Sequence, residues 1–220
     1  MGFESAFATA RDVPGWLTEA QARILFDTAA AVGGPVVEIG SHHGRSTLVL
    51  AAAAPVVAVD PFPSDWRYGG DGTEQRLRAN LEAAGLTDRV DVRVATSRTV
   101  RQGWTAAVGL VYVDGKHDYW SAGDDLRWAE HLRPGGVLLV HDAFSSLGVT
   151  LALLRHLLPS RRLAYRGRTG SLARFERATP SAADRARMLT ELPWFARNLV
   201  IKAALRVARL AGHRSTPDPY

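Results

Sequence analysis

Residues 36–53, VVEIGSHHGRSTLVLAAA, set a short apolar run, a glycine turn and a helix-forming stretch end to end. An apolar run of that length between Pro35 and Gly40 reads as a strand buried on both faces. The unit recurs: segments 56–60 (VVAVD), 90–95, 109–114 (GLVYVD) and 137–142 (VLLVHD) read as strands. Segments 46–54, 73–84, 97–107 and 119–132 read as the helices between or after them. Strands alternating with helices at this spacing predict βαβ units around a parallel sheet, an α/β fold. A helix at 149–158 follows, then two strands, 163–166 and 171–176, joined by GRTG with no helix between. That pair predicts an antiparallel finish to the sheet.

Before the first strand, Thr18 and Gln21 make a capping-box pattern, with Leu17 placed for a hydrophobic staple. A helix to about residue 32 follows and ends at Gly33-Gly34. Residues 1–17 carry no clear pattern. Segment 61–72, PFPSDWRYGGDG, reads as a long loop able to act as a lid. The 220 residues suit one large domain with a short appendage. We place the domain at 1–178, with an N-terminal helix at 18–34 and the core at 36–177, and a basic helical extension at 179–220.

Charge supports that division. Residues 1–154 carry −5 and residues 155–220 carry +10, so the basic character belongs to the tail. Segment 193–211 reads as an amphipathic helix bearing Arg197, Lys202, Arg206 and Arg209. Such a helix packs on its own domain, on a second copy to give a homodimer, or on an anionic membrane surface. The chain has no cysteine, which excludes disulfides, thiolate zinc sites and a cysteine nucleophile. No signal-peptide pattern and no long uncharged apolar segment is visible, so a cytoplasmic location is expected.

In an open parallel sheet, ligands sit beyond the carboxyl ends of the strands. The first strand ends in Glu38-Ile39-Gly40-Ser41 and turns through Gly44; glycines let backbone approach a ligand closely. The second ends in Asp60, 20 residues after Gly40, where a carboxylate accepts ribose hydroxyls and disfavours a 2′-phosphate. A dinucleotide site prefers GxGxxG, which seats a pyrophosphate on the helix. GSHHG instead puts two histidines where the phosphates would go, and suits a cofactor with an amino-acid end.

VVEIGSHHGRST, VVAVDPF, LVYVDGKHDY and GGVLLVHD, in that order, resemble class I S-adenosylmethionine-dependent methyltransferases. Within them, residues 30–177 are most similar to the small metal-dependent O-methyltransferases of the macrocin and cephalosporin-cluster type. The resemblance implies a Rossmann-like, mostly parallel seven-stranded sheet with helices on both faces and an antiparallel final strand. It implies S-adenosylmethionine held by Glu38, Gly40 and Ser41 at the methionine end, Asp60 at the ribose and Ser97 near the adenine, with Gly44, Ser46 and Asp114 also binding the cofactor.

The chemistry falls at the later strand ends. Asp114 and His141-Asp142 end adjacent strands, so Asp114, Asp142 and His141 are candidate ligands of a divalent cation. Mg²⁺ is expected, with Mn²⁺ open because of the imidazole. The family pattern there is usually acidic or amide, so His141 departs from it. A metal lowers a hydroxyl's pKa, and a nearby base takes its proton. His117, three residues after Asp114, is the first candidate base and His141 the second. Asp124 and Asp125 are expected to cap or to pair with Arg127 rather than to bind metal. Trp66, Arg67 and Tyr68 in the lid, with Tyr119, are expected to meet the acceptor. The resemblance implies a small hydroxylated acceptor, a sugar or glycoside such as a methylated mannose oligosaccharide first, a phenolic natural product second. Rival readings are an RNA-binding methyltransferase, which lacks a recognisable RNA-binding module here, an NAD-dependent oxidoreductase, and a non-catalytic cofactor-sensing module.

Overall fold

A computed structural model describes residues 1–63 and 70–210. Seven strands lie in one sheet of order β3-β2-β1-β4-β5-β7-β6. They are β1 Val36–Ile39, β2 Val56–Val59, β3 Val90–Arg93, β4 Val108–Val113, β5 Leu132–Val140, β6 Ala164–Thr169 and β7 Leu172–Glu176. The first five run parallel; β7 is antiparallel to both neighbours, β5 and β6. The expected Rossmann-like fold with an antiparallel finish is the one observed.

Alternation along the strands divides the core in two. In β4, Leu110 and Tyr112 face one side with Val36, Val137 and Leu139; Val111 and Val113 face the other with Val37, Leu138 and Val140. Every residue of β1 and β4 is buried, as expected of strands covered on both faces. Helices α1 Phe3–Ala10, α2 Glu19–Ala31, α3 Arg45–Ala53 and α4 Thr73–Ala83 serve the first side. Helices α6 Tyr119–Asp125 and α7 Leu147–His156 pack on the second. A short helix, α5 Ser97–Gln102, follows β3, and α8 Ala182–Leu189 and α9 Leu192–Leu210 end the described chain.

The Thr18–Gln21 capping box forms, each side chain bonding the other's backbone end. Four local expectations differ from the structure. Residues 3–10 form α1, because Phe3, Ala6 and Ala10 share one face and bury it. Phe3 meets Phe26 edge-on at 5.7 Å. The 119–132 helix stops at Asp125 and tightens into a 3₁₀ segment, Leu126–His131, that buries Trp128. β5 consequently begins at Leu132, five residues earlier than its apolar run. α5 ends at Gln102, where Gly103 caps it, not at 107. Among the described residues no helix is long and apolar enough to cross a membrane.

Candidate active site at the carboxyl edge of the sheet

Sheet order reverses between β1 and β4, and the strand ends part there to open a crevice. Gly40 sits at its floor with φ +89°. Its N–H donates to Val59 O at 2.9 Å, and the Asp114 N–H donates to Ile39 O at 2.8 Å. Any Cβ at Gly40 would run into the Asp114 carbonyl, so only glycine lets these backbones close. The turn continues through His42, φ +48°, to Gly44, φ +91°, which starts α3 against Leu77.

Two carboxylates brace this turn. Asp60 accepts the His42 N–H at 3.0 Å and the Phe62 N–H at 2.8 Å, tying the first strand's loop to the second's. Glu38 is fully buried and accepts from the Ser46 and Thr47 hydroxyls in the first turn of α3. Burial dominates its ionisation: it pushes the carboxyl up to about 7 although both hydroxyls favour the charged form. Glu38 and Ser46 thus face each other behind the turn, and Glu38 acts first on the turn's shape. Ser41 is buried in the turn itself.

A cleft of about 470 Å³ runs from Gly40 and Asp60 past Gly115 to Ser97, Asp125 and Trp120. Asp60 and Ser97, expected at opposite ends of a nucleoside, both line it. Ser97 Oγ donates to Asp125, a buried carboxylate raised to about 6 by burial, with Asp124 and Asp118 adding to the rise. Asp125 is therefore a cleft residue and not a partner of Arg127. Asp124 does pair with arginines: Arg98 and Arg101 at 3.2 Å, Arg127 at 3.7 Å. Trp120 is 82% exposed at the cleft edge.

Beside the cleft, Asp114, His117, His141 and Asp142 form one cluster. His117 Nδ1 lies 3.0 Å from Asp142 Oδ2, and its Nε2 lies 3.6 Å from Asp114 Oδ1. His141 Nδ1 lies 3.3 Å from Asp114 Oδ1 and 3.9 Å from Asp142 Oδ1. Tyr112 OH donates to Asp114 Oδ2 at 2.9 Å, and Ser145 Oγ to Asp142 Oδ1 at 3.0 Å. Burial alone would raise the Asp114 carboxyl, but the two imidazoles outweigh it and hold it well below the usual carboxylate range. Burial disfavours a charged His141, yet Asp114 and Asp142 prevail and push it to about 9. His117 is likewise raised against its burial by the same two carboxylates.

The structure brings the four expected residues together and turns the two carboxylates on the imidazoles, while His141 Nε2 is buried without a hydrogen-bond partner among the described residues. The carboxylate oxygens of Asp114 and Asp142 are met by imidazole, phenol or hydroxyl groups. Among the described residues no three such side chains converge as metal ligands. Tyr119 packs edge-on against Trp120 at 5.0 Å and lies 6.2 Å from His156, toward α7. Trp66, Arg67 and Tyr68 lie outside the described residues.

Sequence reading missed three contributors. Gly148, at the start of α7, lies so close to His117 and Tyr119 that a Cβ would strike the His117 carbonyl. Arg45 reaches back to the carbonyls of Val13, 3.3 Å, and Gly15, 2.9 Å, and holds the N-terminal segment beside the glycine turn. Trp16, 68% exposed, then lies 6.5 Å from the His42 ring. The PG pair at 14–15 was the only sequence signal of that bend.

The strand order, the glycine turn after β1 and the acid ending β2 make a Rossmann-like α/β fold with its crevice at the carboxyl edge of the sheet. Residues 37–143 match the model of a family described as a methyltransferase domain. The fold is shared with the O-methyltransferase TomG of Streptomyces achromogenes, involved in tomaymycin synthesis and solved with S-adenosylmethionine. That likeness has 20% identity over 80% of this chain and 89% of that one, TM-score 0.58. An O-methyltransferase from Bacillus cereus, solved with S-adenosylhomocysteine, has 18% identity over 80% and 90%, TM-score 0.55. A methyltransferase from Geobacter sulfurreducens has 19% identity over 80% and 87%, TM-score 0.57. Identities this low speak for the fold.

Proposed function

We propose that the protein transfers a methyl group from S-adenosylmethionine to a hydroxyl of a small acceptor, with His117 as general base. The observation that carries this is the 3.0 Å contact of His117 Nδ1 with Asp142 beside the cleft. In the base-competent form the Nδ1 proton faces Asp142, the arrangement in which a carboxylate orients a histidine base, and Nε2 gives up its 3.6 Å contact with Asp114 to take the proton of a hydroxyl. His141, charged between Asp114 and Asp142, offsets one of the two carboxylates. Tyr112, its hydroxyl pushed well up by burial and by Asp114, stays a neutral donor.

The cleft fits the cofactor by its floor: Gly40, which no side chain can replace, and the buried Ser41 beside it. The methionine end is assigned to Gly40, Ser41 and Gly44, the ribose to Asp60, and the adenine to Ser97 with Asp125 and Trp120. Bound there, S-adenosylmethionine supplies a sulfonium methyl open to in-line attack by an oxygen. The chain aligns the acceptor oxygen, takes its proton on His117 and excludes water.

A sugar or glycoside is the first acceptor class. A phenolic natural-product hydroxyl is the second, favoured by the likeness to TomG and its part in tomaymycin synthesis. Mg²⁺ or Mn²⁺ assistance would require His117 to release Asp142, so deprotonation by His117 alone is the simpler route. Exposed Val200 and Val207 on α9 suit a homodimer contact, which sedimentation would test. The deciding experiment is labelled S-adenosylmethionine with sugars, phenols and RNA, with and without EDTA. Label should reach a sugar or phenol, persist after chelation, and fall at least a hundredfold in His117→Ala. Transfer to RNA alone, or a wild-type rate in the variant, would overturn the assignment.

A further inference from the structure

The turn between β5 and α7 carries Asp142, and its backbone is held in an unusual shape. Asp142 has φ +53° and Phe144 φ +57°, left-handed conformations that cost a non-glycine residue of order 1 kcal/mol each. Such a turn persists only where its surroundings over-determine it. Several contacts come from within the sheet domain. Ala143 N–H donates to Ser171 O at 2.9 Å, Ser146 N–H donates to Asp142 O at 3.0 Å, and the buried Phe144 ring meets Tyr165 at 6.0 Å.

Two contacts come from the far end of the chain. Asn198 Nδ2 donates to the Phe144 carbonyl at 3.2 Å, and Lys202 Nζ donates to the Ser145 carbonyl at 2.9 Å. These residues are four apart on α9, so they stand on one face of that helix. Asn198 is fully buried, and a buried amide is costly unless its bonds are made. An apolar residue would pack there at lower cost; the amide is explained by the carbonyl it meets. Lys202 brings its ammonium group to the next carbonyl of the turn, that of Ser145.

We propose that α9 is a positioning element for the catalytic turn: Asn198 and Lys202 fix the Phe144 and Ser145 carbonyls and thereby set the Asp142 carboxylate against His117. The assignment of His117 and Asp142 as the base pair underlies this inference. The matched family segment ends at residue 143, inside this turn, so the clamp is supplied by the tail of this chain.

The test compares Lys202→Met, Lys202→Arg and Asn198→Ala in the full-length protein. Calorimetry should show S-adenosylhomocysteine affinity within about twofold of wild type for all three. The kcat should fall about tenfold or more in Lys202→Met and Asn198→Ala with acceptor KM nearly unchanged, since small misplacements of a catalytic group are costly in rate. Lys202→Arg, which restores a charged donor, should recover most of it. In ¹H–¹⁵N spectra the His117 Nδ1–H resonance should be present in wild type and Lys202→Arg and weakened in Lys202→Met. Wild-type kcat with an unchanged resonance in both donor-deleting variants would overturn the proposal. So would a parallel loss of cofactor affinity and kcat, which marks general destabilisation. If wild type itself bound no cofactor, the transferase reading would fail, and the resonance would still decide whether α9 sets the turn.

Discussion

Glu38 is the residue whose chemistry and position pull hardest against each other. It sits fully buried in a central strand, and its carboxyl is raised to about 7. In the unfolded chain the same group ionises near 4.5. Between those values the native state holds a proton that the unfolded state has lost, so stability falls as pH rises through this window. The loss is of order 3 kcal/mol and is complete above pH 7. Glu38→Gln stays neutral throughout, so its stability relative to wild type should rise between pH 4.5 and 7; urea titrations across that range check it. A pH-independent difference would mean that Glu38 is ionised in the fold. The sequence marked Glu38 at the end of the first strand, where the structure has it. Its partners, Ser46 and Thr47, depended on α3 docking over β1, which no local pattern encodes.

At the scale of elements, the site depends on how closely two turns approach. The β4–α6 loop carries His117, and α7 begins against it through Gly148. Gly148→Ala should push His117 away from Asp142. We expect a loss of roughly 1–3 kcal/mol in stability and of tenfold or more in turnover, with cofactor affinity little changed. Denaturant melts with kinetics on the same preparation measure both. An unaltered kcat would show that the loop accommodates the methyl group. The pairing of Ser97 with Asp125 has a similar origin: α5 and α6 come from opposite sides of β4 and meet only in the fold. Helical spacing marked Asp124 and Asp125 alike as surface carboxylates. Both line the cleft in the fold, where Asp124 meets a trio of arginines and Asp125 accepts from Ser97.

For the whole molecule, a ligand that binds only the native state adds stability by mass action. S-adenosylmethionine at about a hundred times its Kd should raise Tm by roughly 5–10 °C. Asp60→Ala should remove most of that shift, both through the ribose and through the His42 and Phe62 N–H groups it releases. Differential scanning fluorimetry decides it; no shift with excess cofactor would count against the site.

The tail belongs to this scale as well. Its charge marked it as different, yet α8 and α9 dock on β6 and on the β5–α7 turn. Arg166 meets Asp184 at 3.0 Å, Arg168 meets Glu191 at 2.6 Å, and Tyr165 OH donates to Glu191 at 2.9 Å. Sequence alone determined the α/β architecture, the glycine turn, Asp60 and the four residues of the cluster. Apolar periodicity and glycine position act locally, and strand ends of a parallel sheet must share one edge. Only the tertiary structure decided that the cluster's imidazoles face its carboxylates, that Asp125 enters the cleft, and that α9 reaches the turn holding Asp142. Those contacts join residues up to 57 positions apart, and side-chain direction at such range is fixed by packing, not by pattern.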